Sequence, residues 1–168
     1  MPQDTTNPSQ PISIRPRTAQ DLPACISILR RVYSLDKYPI QGTSNATSFL
    51  AFATLEQAFV ATTSDGIIIG HVAIGTASDD DVAVKLWRSQ HPETEVAVLE
   101  RLFVDPDSRG SGAAARLIEA ATAWNKEWER RLVFFLLYRR LGWVQFGVGS
   151  YAYGDGESMD ALCFVSPA

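Results

Sequence analysis

Apolar residues recur along this 168-residue chain in two rhythms, one helical and one alternating, and each change of rhythm marks an element. In TAQDLPACISILRRVYSL (18–35) the helical rhythm picks out Leu22, Cys25, Ile26, Leu29 and Val32, and Asp21 ahead of Pro23 suits a helix start. SNATSFLAFATLE (44–56) predicts a second helix, opened by Ser44 and Asn45. GAAARLIEAATAWNKEW (112–128) predicts a third, with Ala114, Leu117, Ile118, Ala121, Trp124 and Trp128 in one stripe. ISIRP (12–16) is a short strand closed by Pro16. AFVATTSDGIIIGHVAIGTA (58–77) reads as two strands joined at Ser64, Asp65 and Gly66. VAVLERLFV (96–104) and RLVFF (131–135) are further strands, and LYRRLG (137–142) is a helical turn closed by Gly142. WVQFGVG (143–149) and DALCFVS (160–166) add two strands around a Gly-rich loop. The stretch from DDD (79–81) to HPETE (91–95) is expected to be a solvated polar connection.

This order, β-α-α-β-β-β-α-β-(α)-β-β, predicts a single α/β domain of the α+β kind over 12–168. Its sheet is expected to be mixed, mostly antiparallel and twisted, with helices on both faces. Residues 1–11, MPQDTTNPSQP, hold three of the nine prolines and read as a disordered leader. Composition changes this picture little: 46% hydrophobic and 20% charged residues suffice for one real core. A net charge of −4 argues against nucleic acid or an anionic membrane as partner. With no apolar stretch of membrane-span length and no signal-peptide core, a cytoplasmic protein is expected. Cys25 and Cys163 fit small buried thiols in a reducing compartment. His71 lies in an apolar run and His91 precedes Pro92, so no metal is expected.

The stretch FVDPDSRGSGAAARLIEAA (103–121) runs from strand, through a Pro/Asp corner, into two glycines beside an arginine, then into helix. A helix N-terminus leaves backbone N–H groups unpaired and carries partial positive charge. Gly110 and Gly112 permit dihedrals that other residues resist and allow close approach to the backbone. Arg109 adds a cation, and Ala113, Ala114 and Ala115 keep the first turn free of bulk. The result is an anion cradle suited to phosphate; a bare strand-to-helix turn would need no arginine. A P-loop would place Lys-Ser/Thr where Ala113 and Ala114 stand. A dinucleotide fingerprint, Gly110-x-Gly112-x-x-Ala115, conflicts with the stretch Asp105-Pro106-Asp107-Ser108 between strand and glycine and with the lack of an acid after RLVFF.

The remaining reading is Arg109-x-x-Gly112-x-Ala114 after a strand and V-D-P. LFVDPDSRGSGAAARLIEAA (102–121) resembles motif A of the GNAT (acetyl-CoA-dependent N-acetyltransferase) superfamily, Arg/Gln-x-x-Gly-x-Gly/Ala. LYRRLGW (137–143) resembles its later Tyr-x-x-x-Gly-Phe/Trp segment, and ISIRPRTAQDLPAC (12–25) its opening strand and helix. The resemblance implies acetyl-CoA as cosubstrate. Backbone amides of Arg109, Gly110, Ser111, Gly112, Ala113 and Ala114 would then cradle the coenzyme A pyrophosphate. Leu102, Phe103 and Val104 would lend backbone groups to the pantetheine arm, as to an added strand, while also packing the core. It further implies acetyl transfer to a primary amine, of a small molecule or a peptide, by direct attack on the thioester.

That chemistry needs a deprotonated amine, a polarised carbonyl and a protonated leaving thiolate. Under strict alternation Glu100 shares a face with Leu102 and Val104, where apolar neighbours would raise its pKa and make it a base acting through water. It reads equally well as a strand residue paired with Arg101. Glu95 is a weaker candidate, and His71 reads first as a packed strand histidine. The resemblance places Tyr138 near the sulfur as the acid, and a buried aromatic is the even alternative. The family usually separates its RLVFF-like strand from the tyrosine by a loop and most of a helix; here only Leu136 and Leu137 intervene. That keeps open a non-catalytic acyl-CoA-binding module. A toxin-type enzyme acting on charged tRNA conflicts with the net charge. Asp79, Asp80, Asp81, Asp155 and Glu157 would attract a cationic amine, and Tyr151 and Tyr153 would line its cleft, but the acceptor is not legible. Exposed terminal strands would allow pairing in a homodimer.

Overall fold

The computed structural model describes residues 11–135, 142–153 and 155–168, with backbone alone at Phe135 and Tyr153. The leader expected over 1–11 lies outside the described residues except for Pro11, and the turn expected over 137–142 except for Gly142. The strands are β1 (Ser13–Pro16), β2 (Leu55–Thr62), β3 (Ile68–Thr76), β4 (Val96–Val104), β5 (Arg131–Phe135), β6 (Val144–Tyr153) and β7 (Glu157–Val165). The helices are α1 (Leu22–Asp36), α2 (Ala46–Leu50), α3 (Val82–Gln90) and α4 (Ala113–Lys126). They build one seven-stranded sheet in the order β1-β2-β3-β4-β5-β7-β6. Every neighbouring pair is antiparallel except β4 and β5. The expected mixed α/β architecture is therefore present, with β6 and β1 as edges and the last strand, β7, inside the sheet.

Alternation sorts the core onto two faces. Val72, Ile74, Ala97 and Leu99 point to α4, whose Ala113, Leu117, Ile118 and Ala121 are buried against them. Val60 and Phe103 point the other way, to Cys25, Leu29 and Val32 of α1 and Leu50 of α2. Farther along that second face, α3 sets Ala83, Val84 and Trp87 against Val96, Val98, Val133 and Cys163.

Three expectations about helices are corrected. The second helix covers only Ala46–Leu50, and β2 begins at Leu55, because residues 55–62 hydrogen-bond along β3 instead. The polar connection after DDD contains α3: Asp81 caps it by accepting from the amides of Ala83 (2.9 Å) and Val84 (3.0 Å). The third helix ends at Lys126, so Trp128 leaves the stripe, 61% exposed, with its ring 5.9 Å from that of Trp124.

β4 pairs with β5 only where residues 96–98 face 131–133. Beyond Val98 the two strands part, while β5 turns its last three residues to β7. β4 thus lies mid-sheet yet has, over residues 99–104, no partner strand on its β5 side among the described residues.

Candidate active site

At the end of β4 the chain turns through Pro106–Ser108 and enters α4 at Gly112. Gly110 (φ 77°) and Gly112 (φ 85°) both occupy the left-handed region. A Cβ at either would meet no atom within 4 Å, so glycine is there for its backbone and the space above it is open. No group among the described residues accepts from the amides of Ala113, Ala114 and Ala115, and the Ser111 Oγ is buried without a partner. The three alanines line a cleft of about 590 Å³ that runs from Leu102, Phe103 and Val104 on β4 to the start of α4, with Val32, Asp36 and Tyr38 also lining it. The structure therefore brings the predicted Leu102, Phe103, Val104, Arg109, Gly110, Gly112, Ala113 and Ala114 to one concavity, whereas Ser111, predicted with them, does not line it and has its hydroxyl buried.

The Arg109 guanidinium does not point into an empty cradle. It forms a two-pronged ion pair with Asp36 at the end of α1, which raises its pKa further. Arg31 likewise bridges Asp105 (2.5 Å) and Asp107 (2.6 Å). The surroundings of the cradle are thus close to charge-balanced, and its attraction for anions comes from backbone dipoles. Asp36, 73 residues before Arg109, carries no sequence signal for this contact.

Strict alternation fails in β4. Ala73 pairs with Glu100 while His71 pairs with Phe103, so β4 carries one extra residue there. Arg101 takes up the bulge at φ 54°. Glu100 consequently lies on the face of Phe103, not on that of Leu102 and Val104, two residues upstream of the cleft's first β4 residue. Its carboxylate lies 2.7 Å from the Arg101 Nη1. Burial pushes the Glu100 pKa up, Arg101 pulls it back and Asp81 adds to the rise. Glu100 is thus a half-buried carboxyl with an arginine partner.

The strained Arg101 is fixed by several contacts. Its Nε donates to the Phe49 carbonyl (3.1 Å), and its guanidinium lies 4.4 Å and 4.6 Å from the ring centroids of Phe49 and Phe52. Its carbonyl accepts from His71 Nδ1 (2.8 Å), because Arg17, which can only donate, sits 2.9 Å from His71 Nε2. His71 is fully buried and stacked on Phe103, and both ring nitrogens are engaged. Burial pulls its pKa down to about 4, with Arg17 and Arg101 adding to the effect. An unfolded imidazole takes a proton near its ordinary 6.5 and this one only near 4, so acid favours the unfolded chain across that window. The urea midpoint of unfolding should fall as pH drops from about 6.5 towards about 4, and His71→Gln should flatten that slope.

Other candidates are dispersed. Glu95 is exposed at the start of β4, and Asp79, Asp155 and Glu157 are exposed, Asp79 being paired with Arg88 (2.6 Å). Tyr138 and the Tyr153 side chain lie outside the described residues. Tyr151 on β6 is half-buried, within electrostatic reach of Tyr38. Tyr38 itself, missed in the sequence, lines the cleft; burial pushes its phenol up to about 12, so it stays protonated. Among the described residues no group of three or more His, Cys, Asp or Glu side chains could hold a metal, and no helix is long and apolar enough to cross a membrane.

Sheet order, bulged β4 and a glycine-opened α4 define a cosubstrate-binding acetyltransferase fold, and the sequence itself agrees. Residues 54–145 match the acetyltransferase (GNAT) domain, and the chain belongs to that family. Among solved structures it is similar to the GNAT family N-acetyltransferase YhbS from Escherichia coli in complex with CoA. There the identity is 24% and the TM-score 0.62, over 83% of this chain and 72% of that one. NAA60 from Arabidopsis thaliana in complex with acetyl-CoA matches at 17% identity and TM-score 0.66, over 93% and 98%. A histone acetyltransferase HPA2 and related acetyltransferase from Corynebacterium glutamicum matches at 17% and 0.68, over 93% and 96%. At such identities the likeness is one of fold. No curated protein matches the chain in sequence.

Proposed function

We propose that this chain binds acetyl-CoA in the cleft beside β4 and transfers the acetyl group to a primary amine. The observation that carries the proposal is the row of open amides at Ala113, Ala114 and Ala115, which line the cleft. Unpaired amides at a helix start are ready donors to the oxygens of a diphosphate. The flank of β4 at Leu102, Phe103 and Val104, unpaired among the described residues, offers backbone groups to an amide-bearing arm. Acetyl-CoA supplies an activated acyl group. The chain supplies orientation, exclusion of water, and a proton acceptor, the raised-pKa Glu100, for the incoming ammonium. The family membership and the CoA-bound relatives support this reading. Tyr138 remains the candidate acid on the strength of the family pattern.

Calorimetry with coenzyme A tests the cleft, and thiol release from acetyl-CoA over a panel of primary amines and N-terminal peptides tests the transfer. Heat with coenzyme A but no amine-dependent release would favour the non-catalytic module instead. Asp36→Asn frees Arg109 and removes a carboxylate beside the cradle. Because an exposed pair of this kind is worth at most about 1 kcal/mol, coenzyme A should bind about fivefold tighter at low salt, and the gain should shrink as salt is added.

A further inference from the structure

We propose that Gly75 is a positioning residue: by lacking a side chain it leaves the slot on β3 in which the Glu100 carboxylate is held. The inference rests on the reading of Glu100 as proton acceptor. Glu100 is directly opposite Ala73, and its side chain reaches along β3 to lie over Gly75, two residues on and on the same face. A Cβ built on Gly75 would stand 2.3 Å from the Glu100 Oε1 and 3.4 Å from its Cδ, with the Phe52 ring 3.2 Å away.

Glycine at a buried strand position weakens the strand and calls for a reason, and Gly75 is buried next to the last residue of β3. Left-handed backbone is not that reason, since Gly75 lies outside the positive-φ positions of the chain. Gly147 and Gly149 also sit in a strand, but there a Cβ would strike Leu86 and Val82, so those two glycines admit helix α3. At Gly75 the group accommodated is a carboxylate. The slot closes on its other side with the Arg101 guanidinium, itself held between Phe49 and Phe52. The atom an alanine would strike hardest is the tip of a flexible side chain and the Phe52 ring need give by only a few tenths of an ångström, so the fold tolerates the change and the carboxylate position does not. Placed in this way, the carboxylate is held beside Arg101, two residues upstream of the cleft's first β4 residue, rather than free to swing.

The test uses the full chain labelled with carboxyl-13C glutamate, the Glu100 resonance being assigned by its loss in Glu100→Gln. In Gly75→Ala the Glu100 titration midpoint should move down, because burial is the larger influence on it and the displaced carboxylate regains water. Amine-dependent thiol release should fall at least about tenfold, with coenzyme A affinity unchanged. In a Glu100→Gln background, Gly75→Ala should cost nothing further. An unmoved midpoint overturns the proposal, as does an equal loss in the Glu100→Gln background. Full thiol release by Glu100→Gln itself would overturn the base reading; the titration would then still decide separately whether Gly75 holds the carboxylate.

Discussion

Glu100→Gln is expected to lower amine-dependent thiol release from acetyl-CoA by at least about a hundredfold, the usual worth of a positioned proton acceptor. Glutamine keeps the size and an acceptor oxygen, so coenzyme A affinity, set some residues away at α4, should not change. The pH profile gives a second check. Burial holds the Glu100 pKa above its ordinary value, so the wild-type rate should decline as acid protonates it. That limb should vanish in the variant. Some stability will also be lost, because Arg101, 26% exposed at its side chain, loses its charged partner. A variant with full rate and an unchanged pH profile would assign proton removal to another group.

Ala114→Glu should abolish coenzyme A binding without unfolding the chain. Ala114 lies in the first turn of α4 and lines the cleft. A carboxylate there is favoured by the helix dipole, so the thermal midpoint should hold or rise. The same carboxylate repels a diphosphate at close range. With an effective dielectric constant of about 20, a like-charge contact near 4 Å costs about 4 kcal/mol, so affinity should drop by at least about a hundredfold. Loss of binding with an intact melting curve separates the cradle from the core. Unchanged affinity would place the anion site elsewhere.

The cradle was legible because its signals are local. Strand, corner, glycines and small-residue helix follow one another within twenty residues, and each carries its own backbone or charge requirement. Helix α3 was legible in principle: Ala83, Val84 and Trp87 make a helical stripe behind a capping Asp81. Three acids in a row looked like solvent-facing loop and hid the cap. Residues 51–56 failed differently, since Phe52 and Leu55 suit a helix stripe as well as a strand, and pairing with β3 decided the matter. The bulge at Arg101 was beyond reach. A one-residue insertion leaves no trace in a strand where Glu100 and Arg101 are both polar, yet it moves Glu100 to the opposite face. Contacts such as Asp36 with Arg109 or Arg17 with His71 join residues dozens of positions apart and exist only once the sheet is assembled.

The parting of β4 from β5 after Val98 has a kinetic corollary. Interior strands ordinarily surrender their amide protons last, on the timescale of global unfolding. In β4 that shielding should stop halfway: amides facing β5 near residues 96–98 should exchange slowly, while those turned the same way farther along should exchange like rim positions of a sheet. Any molecule that docks along this flank should slow their deuterium uptake selectively, which makes the exchange map a footprint of the ligand even before its identity is known.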